Sequence, residues 1–517
     1  MKEHLVMSAE GLVVPPGDTV PEDPTPAPAV DGPDPKRWLA LAVIAIAQLM
    51  IILDASIVNV ALPAIQTDLG ITDANLQWVI TAYTLAFGGL LLFGGRIADF
   101  MGRKRSFIFA LVGFAIASGL GGIAPNEGLL FAARALQGAF AALMAPAALS
   151  ILTLTFTEPK ERARAFGVFG AISGGGAAIG LILGGVLTEY ASWRWTLGVN
   201  VPIALAAAFF AISLVRESRA EGDRHFDIPG VLLSAVGLVS LVYGFTKAAE
   251  QGVGWGDPLT ITLLVVAVVL LAAFVVWETR TEHPLLPTRV ILDRVRGGSY
   301  LLFLLVGAGL FAMFLFLTLY FQRTLGYTPL EAGFAFLPFS GGIILGAGVV
   351  SQLLPRVGPR PLMITGLAMA VVGMLLLTRI GVESSYVTQV LPSEILISLG
   401  MAATFVPTSS TALIGVEPRD AGIASAVLNT AQQVGGSLGL AILTTIFASS
   451  VTGWFEDNAA KLADPAFAAT AEAQANVSAY HVAFASAAGI LALGLLLAIF
   501  LIKAKKEDLP TEAAVAA

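Results

Sequence analysis

Fourteen times along this chain, a run of about twenty mostly apolar residues lies between short polar breaks. That is the length a helix needs to cross the hydrocarbon core of a bilayer. The runs fall roughly at 38–62, 75–97, 106–124, 128–152, 165–188, 196–215, 229–248, 259–278, 299–321, 332–354, 361–380, 389–413, 421–447 and 481–502. Inside lipid every backbone N–H and C=O must be satisfied within the protein, so only helices or closed barrels can span. No strand-length alternation of apolar and polar residues recurs, which excludes a barrel. The expected fold class is an all-α polytopic membrane protein.

Charge agrees with that reading. Only 13% of residues are charged and 56% are hydrophobic, where soluble domains carry about 25% charged residues. The chain has no cysteine and only four scattered histidines, so a disulfide framework, a thiolate centre and a histidine metal cluster are all excluded. The 54 glycines would weaken water-soluble helices, but between membrane helices small residues let backbones approach closely. Residues 1–36 are rich in Pro and acid, lack the pattern of a signal peptide, and read as a disordered cytoplasmic tail. A second tail is expected at 504–517.

Lys and Arg set the orientation. With both termini placed in the cytoplasm, only Arg194, Lys247, Arg323, Arg379 and Lys461 face the other side, and Arg134 falls inside a span. An odd number of helices would scramble this separation. Weak internal repetition divides the chain further. The loops GGRIADFMGRKRSF and SQLLPRVGPRPL both place Gly and Arg at a tight turn, and the fifth and thirteenth helices both carry Gly four residues apart. Two related halves of six helices are therefore expected at 37–218 and 281–503, with two linker helices in 219–280 and an outer loop at 448–480 that has room for a short surface helix.

Two charges stand where charge is costly. Asp54 lies in IILDASIVNVALPAI, about sixteen residues past Trp38, which puts it beyond the midplane towards the outer leaflet. An acid among Ile, Leu and Val is suited to gain and lose a proton as its surroundings alternate between wet and dry. Arg134 in RALQG must face the bundle interior and an acid or carbonyl, with Asp54 the natural partner. Gln137 and Gly138 share its helical face. Helix five carries Gly176, Gly180 and Gly184 on one face, followed by Gly185, a groove for a neighbouring helix. Helix thirteen repeats the device at Gly435 and Gly439, beside the amides of Asn429, Gln432 and Gln433. Those amides are candidates for a substrate pathway, together with Asn59, Tyr83, Gln137 and Glu394. Trp78, Glu189 and Glu394 also read as interfacial residues. No phosphate-binding loop is present, so ATP does not drive the protein directly.

Five stretches taken together resemble the fourteen-helix drug:proton antiporter branch of the major facilitator superfamily. They are LDASIVNVALPAI, GGRIADFMGRKRSF, RALQG, GGGAAIGLILGG and SWRWTLGVNVP, in that order. The resemblance implies the major facilitator fold of two six-helix bundles plus two extra transmembrane helices. It implies proton coupling at Asp54 and Arg134, and a cytoplasmic latch between bundles formed by Gly95, Asp99, Gly102 and Arg103. Phe100 replaces a basic residue usual in the loop motif, and Leu181 replaces a usual Pro in the antiporter motif. The expected function is proton-driven export of a lipophilic, neutral or monocationic small molecule across a bacterial cytoplasmic membrane. The protein is expected to be a monomer, with no cofactor beyond the proton and no nucleic-acid partner. The same fold also serves exporters of lipids, siderophores or endogenous metabolites, and proton symporters.

Overall fold

Each apolar run becomes a helix, and nearly every connection is short. The computed structural model describes residues 35–508 apart from 157, 219–226, 250–252, 282–283, 287 and 417–420. The N-terminal tail and the last residues of the C-terminal one lie outside the described residues. The first half comprises α1 (Arg37–Leu69), α2 (Asp73–Leu76), α3 (Trp78–Met101), α4 (Arg103–Gly122), α5 (Glu127–Thr155), α6 (Pro159–Tyr190), α7 (Arg194–Gly198) and α8 (Asn200–Leu214). The linker helices are α9 (Ile228–Ala249) and α10 (Pro258–Glu278). There follow α11 (Thr288–Ile291), α12 (Arg294–Leu319), α13 (Pro329–Ala335), α14 (Leu337–Val357), α15 (Pro359–Leu377), α16 (Leu391–Thr411), α17 (Ala421–Asp457) and α18 (Pro465–Phe500). Among the described residues thirteen helical segments are long and apolar enough to cross a membrane, and α6 adds the apolar stretch Gly175–Tyr190.

In the first half α1 packs on α6 and α8, α3 on α5, and α4 on α5 and α8. In the second, α12 packs on α17 and α18, α15 on α16 and α18, and α14 on α16. The linker hairpin leans on the seam between halves, where α9 touches both α3 and α17. Trp78 meets Tyr243 of α9 there, with ring centroids 6.0 Å apart. Its role is packing at the seam. The outer helix α10 keeps most of its apolar surface exposed, as a helix facing lipid does.

Glycine decides which helices can touch. A Cβ on Gly176 would press on Leu49 and Ile52, one on Gly180 on Ser56, and one on Gly184 on the Ile57 carbonyl at 2.6 Å, all in α1. Gly185 turns the other way, against Leu330 of α13 in the second half. Gly435 and Gly439 of α17 sit on Leu304 and Ala308 of α12 in the same manner. The α1–α6 and α12–α17 contacts are thus the same device used twice. Gly102 and Gly358 repeat as well: each joins two helices through one residue at positive φ, 102° and 88°. On the side of the chain termini, Arg37 donates from Nε and Nη2 to Glu161 at 2.8 and 2.7 Å, tying the start of α1 to that of α6. The guanidinium holds the Glu161 carboxyl below the usual carboxylate range, so this tether stays charged at neutral pH.

One expectation needs correction. The stretch 448–480 is largely helical, because α17 runs on to Asp457 and α18 starts at Pro465, with a 3-10 turn at Ala459–Ala463 between them. The Asp464 side chain caps α18 by accepting from Ala466 N at 2.9 Å. The Ala-rich sequence between carries enough helix propensity to continue beyond the apolar run, which a hydropathy reading does not register.

Gly184→Ala is expected to destabilise the solubilised protein by about 1–3 kcal/mol, since the new methyl meets backbone that cannot yield. Gly175→Ala has open space around its Cβ and should leave stability unchanged or raised. Thermal unfolding of both variants in detergent checks the pair.

Candidate functional site

The first site is a buried polar cluster at the centre of the first half. Asp54 is 0% exposed and Arg134 1% exposed. Arg134 Nη1 donates to Asp54 Oδ2 at 2.6 Å and to Gln137 Oε1 at 2.9 Å, while its Nε donates to the Val79 carbonyl at 2.8 Å. The other carboxylate oxygen of Asp54 accepts from Gln137 Nε2 at 3.0 Å and from Asn200 Nδ2 at 2.8 Å. Gln137 also donates to Ser118 at 2.8 Å. The Tyr83 ring lies under the guanidinium, 4.5 Å from its carbon, in cation–π geometry.

Local sequence explains how these groups meet. Gly138 lets α5 lie directly against the Tyr83 backbone of α3, where any Cβ would overlap the carbonyl oxygen. That close approach brings Arg134, one turn away on the same face, within reach of α3 and α1. Asp54 therefore does not sit in the purely aliphatic pocket that its neighbours in sequence suggest. Two neighbouring helices, α5 and α8, supply it with one cation and two amides. A buried ion pair is tolerable only when its remaining donors and acceptors are also satisfied. The Asn200 carbonyl oxygen is the one buried atom of this set with no partner. Sequence analysis did not single out Asn200 or Ser118. The signal for Asn200 was present, an amide at the head of the otherwise apolar NVPIALAAAFF.

The second site is a cavity of about 470 Å³ between the two halves, within the range of small-molecule pockets. It is lined from α1, α3, α5 and α6 on one side and from α12 and α17 on the other. Asn59, Tyr83, Asn429 and Gln432 line it, as the sequence predicts, together with Gln433 and the unanticipated Gln48. Phe87, Phe169, Phe311 and Phe314 add aromatic surface. Among the described residues no charged side chain lines it. Gln137 and Glu394, also expected on the pathway, are not among its walls: Gln137 is committed to the ion pair, and Glu394 is buried inside the second half. Tyr83 borders both sites, its ring under Arg134 and its edge in the cavity.

The cavity extends towards the side of the chain termini, reaching Leu149 near the end of α5 and Gly422 and Ser425 near the start of α17. The opposite side is closed. Gln322 Nε2 donates to the Val60 carbonyl at 2.7 Å, Arg323 pairs with Asp73 at 3.0 Å, and Leu330 N donates to Glu189 at 3.1 Å. Gly333 of α13 packs against the Leu181 carbonyl of α6. Glu189 and Leu181 are thus part of this closure.

The loop motif docks within its own half. Arg103 N donates to the Ser218 carbonyl at 2.9 Å, Lys104 N to Glu217 Oε1 at 3.2 Å, and Arg105 lies 3.6 Å from Glu217. A Cβ on Gly102 would strike Glu217, and Gly95 packs on Pro146 of α5. The side chain of Asp99, the remaining member of the expected latch, lies outside the described residues.

Residues 44–440 match the family model of the Major Facilitator Superfamily. The chain is 50% identical to the puromycin resistance protein pur8 of Streptomyces alboniger over 94% of its own length and 95% of that protein's. It is 40% identical to the cephamycin export protein CmcT of Amycolatopsis lactamdurans, over 80% and 86% of the two chains. It is 32% identical to the tetracenomycin C resistance and export protein of Streptomyces glaucescens, over 84% and 79%. Its fold is similar to that of a solved bacterial homologue of the human lysosomal transporter Spinster in an inward-facing, unoccupied conformation. That match has TM-score 0.66 at 17% identity, over 93% of this chain and 100% of the other.

Removing one member of the buried pair should cost far more than removing both. Arg134→Met is expected to destabilise by about 3–5 kcal/mol by leaving Asp54 without a cation. Adding Asp54→Leu should restore much of that loss. Thermal unfolding of the single and double variants measures it, and strictly additive losses would mean that the two residues do not interact.

Proposed function

The chain belongs to the major facilitator superfamily and is a transporter, not an enzyme, and from that premise we propose that it exports lipophilic antibiotics or similar small molecules in exchange for protons. The observation that carries this reading is the separation of two sites by one side chain. A buried acid–cation pair lies behind Tyr83, and an uncharged, amide- and aromatic-lined cavity lies in front of it. A cavity with no fixed acid does not favour a dication. Aromatic faces and amides suit a flat neutral or monocationic molecule that presents a few hydrogen-bonding groups. Relatives named for resistance to or export of puromycin, cephamycin and tetracenomycin C support this class of cargo.

Taking the side of the chain termini as cytoplasm, as the Lys and Arg distribution predicts, the structure corresponds to a state open inward and closed outward. Cargo enters the cavity between the halves. The halves then rock about the packed α3–α17 seam, where Thr84 and Ser437 hydroxyls lie 2.8 Å apart and Thr430 donates to the Gly88 carbonyl at 2.9 Å. In the outward-open state a proton reaches Asp54. A neutral carboxyl no longer holds Arg134 by charge, and Asn200, by rotating its amide, presents its unpartnered oxygen to the new O–H. Arg134 keeps Val79 and Gln137 as partners, and its shift moves the Tyr83 ring that borders the cavity. Cargo affinity falls and the proton later leaves to the cytoplasm. Gly95, Asp99, Gly102 and Arg103 would latch the cytoplasmic ends in the outward-open state, the Gly102 turn having left Glu217. One coupled proton at 100 mV is worth about 2.3 kcal/mol, or roughly fifty-fold accumulation.

Purified protein in liposomes with an internal pH-sensitive dye tests the reading. Cargo-dependent proton movement should occur with puromycin or a lipophilic monocationic dye and vanish in Asp54→Asn. Asn429→Leu, which alters only the cavity, should raise KM by up to about tenfold, the value of one hydrogen bond, and leave coupling intact. Movement that persists in Asp54→Asn would remove the coupling role from that residue. No movement with any antibiotic or dye would overturn the cargo class in favour of a lipid or metabolite.

A further inference from the structure

We propose that Glu394 is a second proton-binding site, held neutral inside the second half, and that its proton helps keep the outer face closed. Glu394 stands in the first turn of α16 and is 0% exposed. Its Oε2 is 3.1 Å from the Tyr386 hydroxyl, and its Oε1 has no hydrogen-bond partner. Among the described residues no Lys, Arg or His lies within ion-pair distance of it. Among the described residues Tyr386 is the one titratable side chain hydrogen-bonded to the acid, and Tyr327 stacks on Phe321, whose ring packs edge-on against that phenol.

The hydrogen-bond count assigns the proton. The Tyr386 hydroxyl also lies 2.7 Å from the Ala335 carbonyl. A phenol has one proton and a carbonyl can only accept, so the shorter contact takes the phenol's proton. Glu394 then faces a phenolic lone pair. A carboxylate there would meet repulsion, with no cation and one oxygen wholly unsolvated, at a cost no membrane-buried acid bears unpaired. A protonated carboxyl donates to that lone pair and removes the conflict. Asp54 is equally buried but has Arg134 and two amides, so the two acids solve the same problem in opposite ways.

Position gives the proton a consequence. Ala335 ends α13, the short helix whose Leu330 and Gly333 lie against Gly185 and Leu181 of α6 on the closed outer side. When Glu394 gives up its proton to water on the cytoplasmic side, its carboxylate becomes the stronger acceptor and draws the Tyr386 proton away from Ala335. The helix that closes the outer face thereby loses a tie to the rest of its own half. Uptake of one proton from the outer solution onto Glu394 Oε2 restores it. Protonation of the acid follows from its surroundings alone, whereas its part in coupling rests on the proposed antiport.

Infrared spectroscopy of the resting full-length protein at neutral pH, without cargo, tests the protonation. The carbonyl stretch of a protonated carboxyl is expected in wild type and in Asp54→Asn, and absent from Glu394→Gln. Tyr386→Phe, which removes the acceptor of the acid proton, should keep the band but shift it. No such band in wild type, or a band indifferent to both substitutions, overturns the proposal whatever the transport assays give. In liposomes, Glu394→Gln should halve the protons moved per puromycin if each acid carries one. Spin labels on the outer ends of α6 and α13 should report a face that stays closed at alkaline pH, where wild type opens. An unchanged ratio with unchanged opening would remove the coupling role.

Discussion

The first half of this protein is arranged around one electrostatic problem, an aspartate and an arginine buried together in a membrane. Neither charge is tolerable alone, and the pair by itself leaves lone pairs and N–H groups bare. The remaining contacts come from Gln137 on the arginine's own helix, Asn200 on α8 and the Val79 carbonyl on α3. Satisfying the pair therefore fixes how α1, α3, α5 and α8 sit together. The close backbone approach at Gly138 is the steric condition for it. A change in the charge of Asp54 would therefore be felt by four helices at once.

The cavity is not part of that cluster, and the distinction matters for mechanism. Under the proposed antiport, cargo does not have to compete with a proton for one carboxylate, because Asp54 is fully buried and not in the cavity wall. Tyr83 is the side chain that touches both the ion pair and the cavity wall. With the ion pair sealed from the cavity in this state, the local dielectric around it is low, and there its interactions are strong. Cavity walls built from amides and phenyl rings are correspondingly free to accept varied shapes.

Repetition of the halves is visible in packing more than in sequence. Gly176, Gly180 and Gly184 hold α6 on α1, and Gly435 and Gly439 hold α17 on α12. Gly102 and Gly358 make equivalent one-residue turns. Among the described residues the ion pair has no equivalent in the second half, where a buried acid, Glu394, has a phenol beside it. Helix pairs that meet through backbone and small side chains leave few interlocked side chains to break. Movement of the halves as rigid bodies is thus compatible with their internal packing.

The amino-acid sequence by itself determined the helices, since the length and apolarity a span needs are written locally, and it marked Asp54 and Arg134 as costly enough to need each other. It also located Asn59, Tyr83, Asn429 and Gln432, because an amide or phenol in an apolar run has few other reasons to be there. The sequence did not show Asn200 as a partner of Asp54, 146 residues away, or that Gln137 belongs to the ion pair and not to the pathway. It misread Glu394 as interfacial, because depth in sequence does not report which neighbours close over a side chain. It left the face of Gly185 open, and read 448–480 as loop where helices extend beyond the apolar run. Those matters depend on which helices pack side by side, and only the tertiary structure decides that, through backbone contacts between residues far apart in the chain.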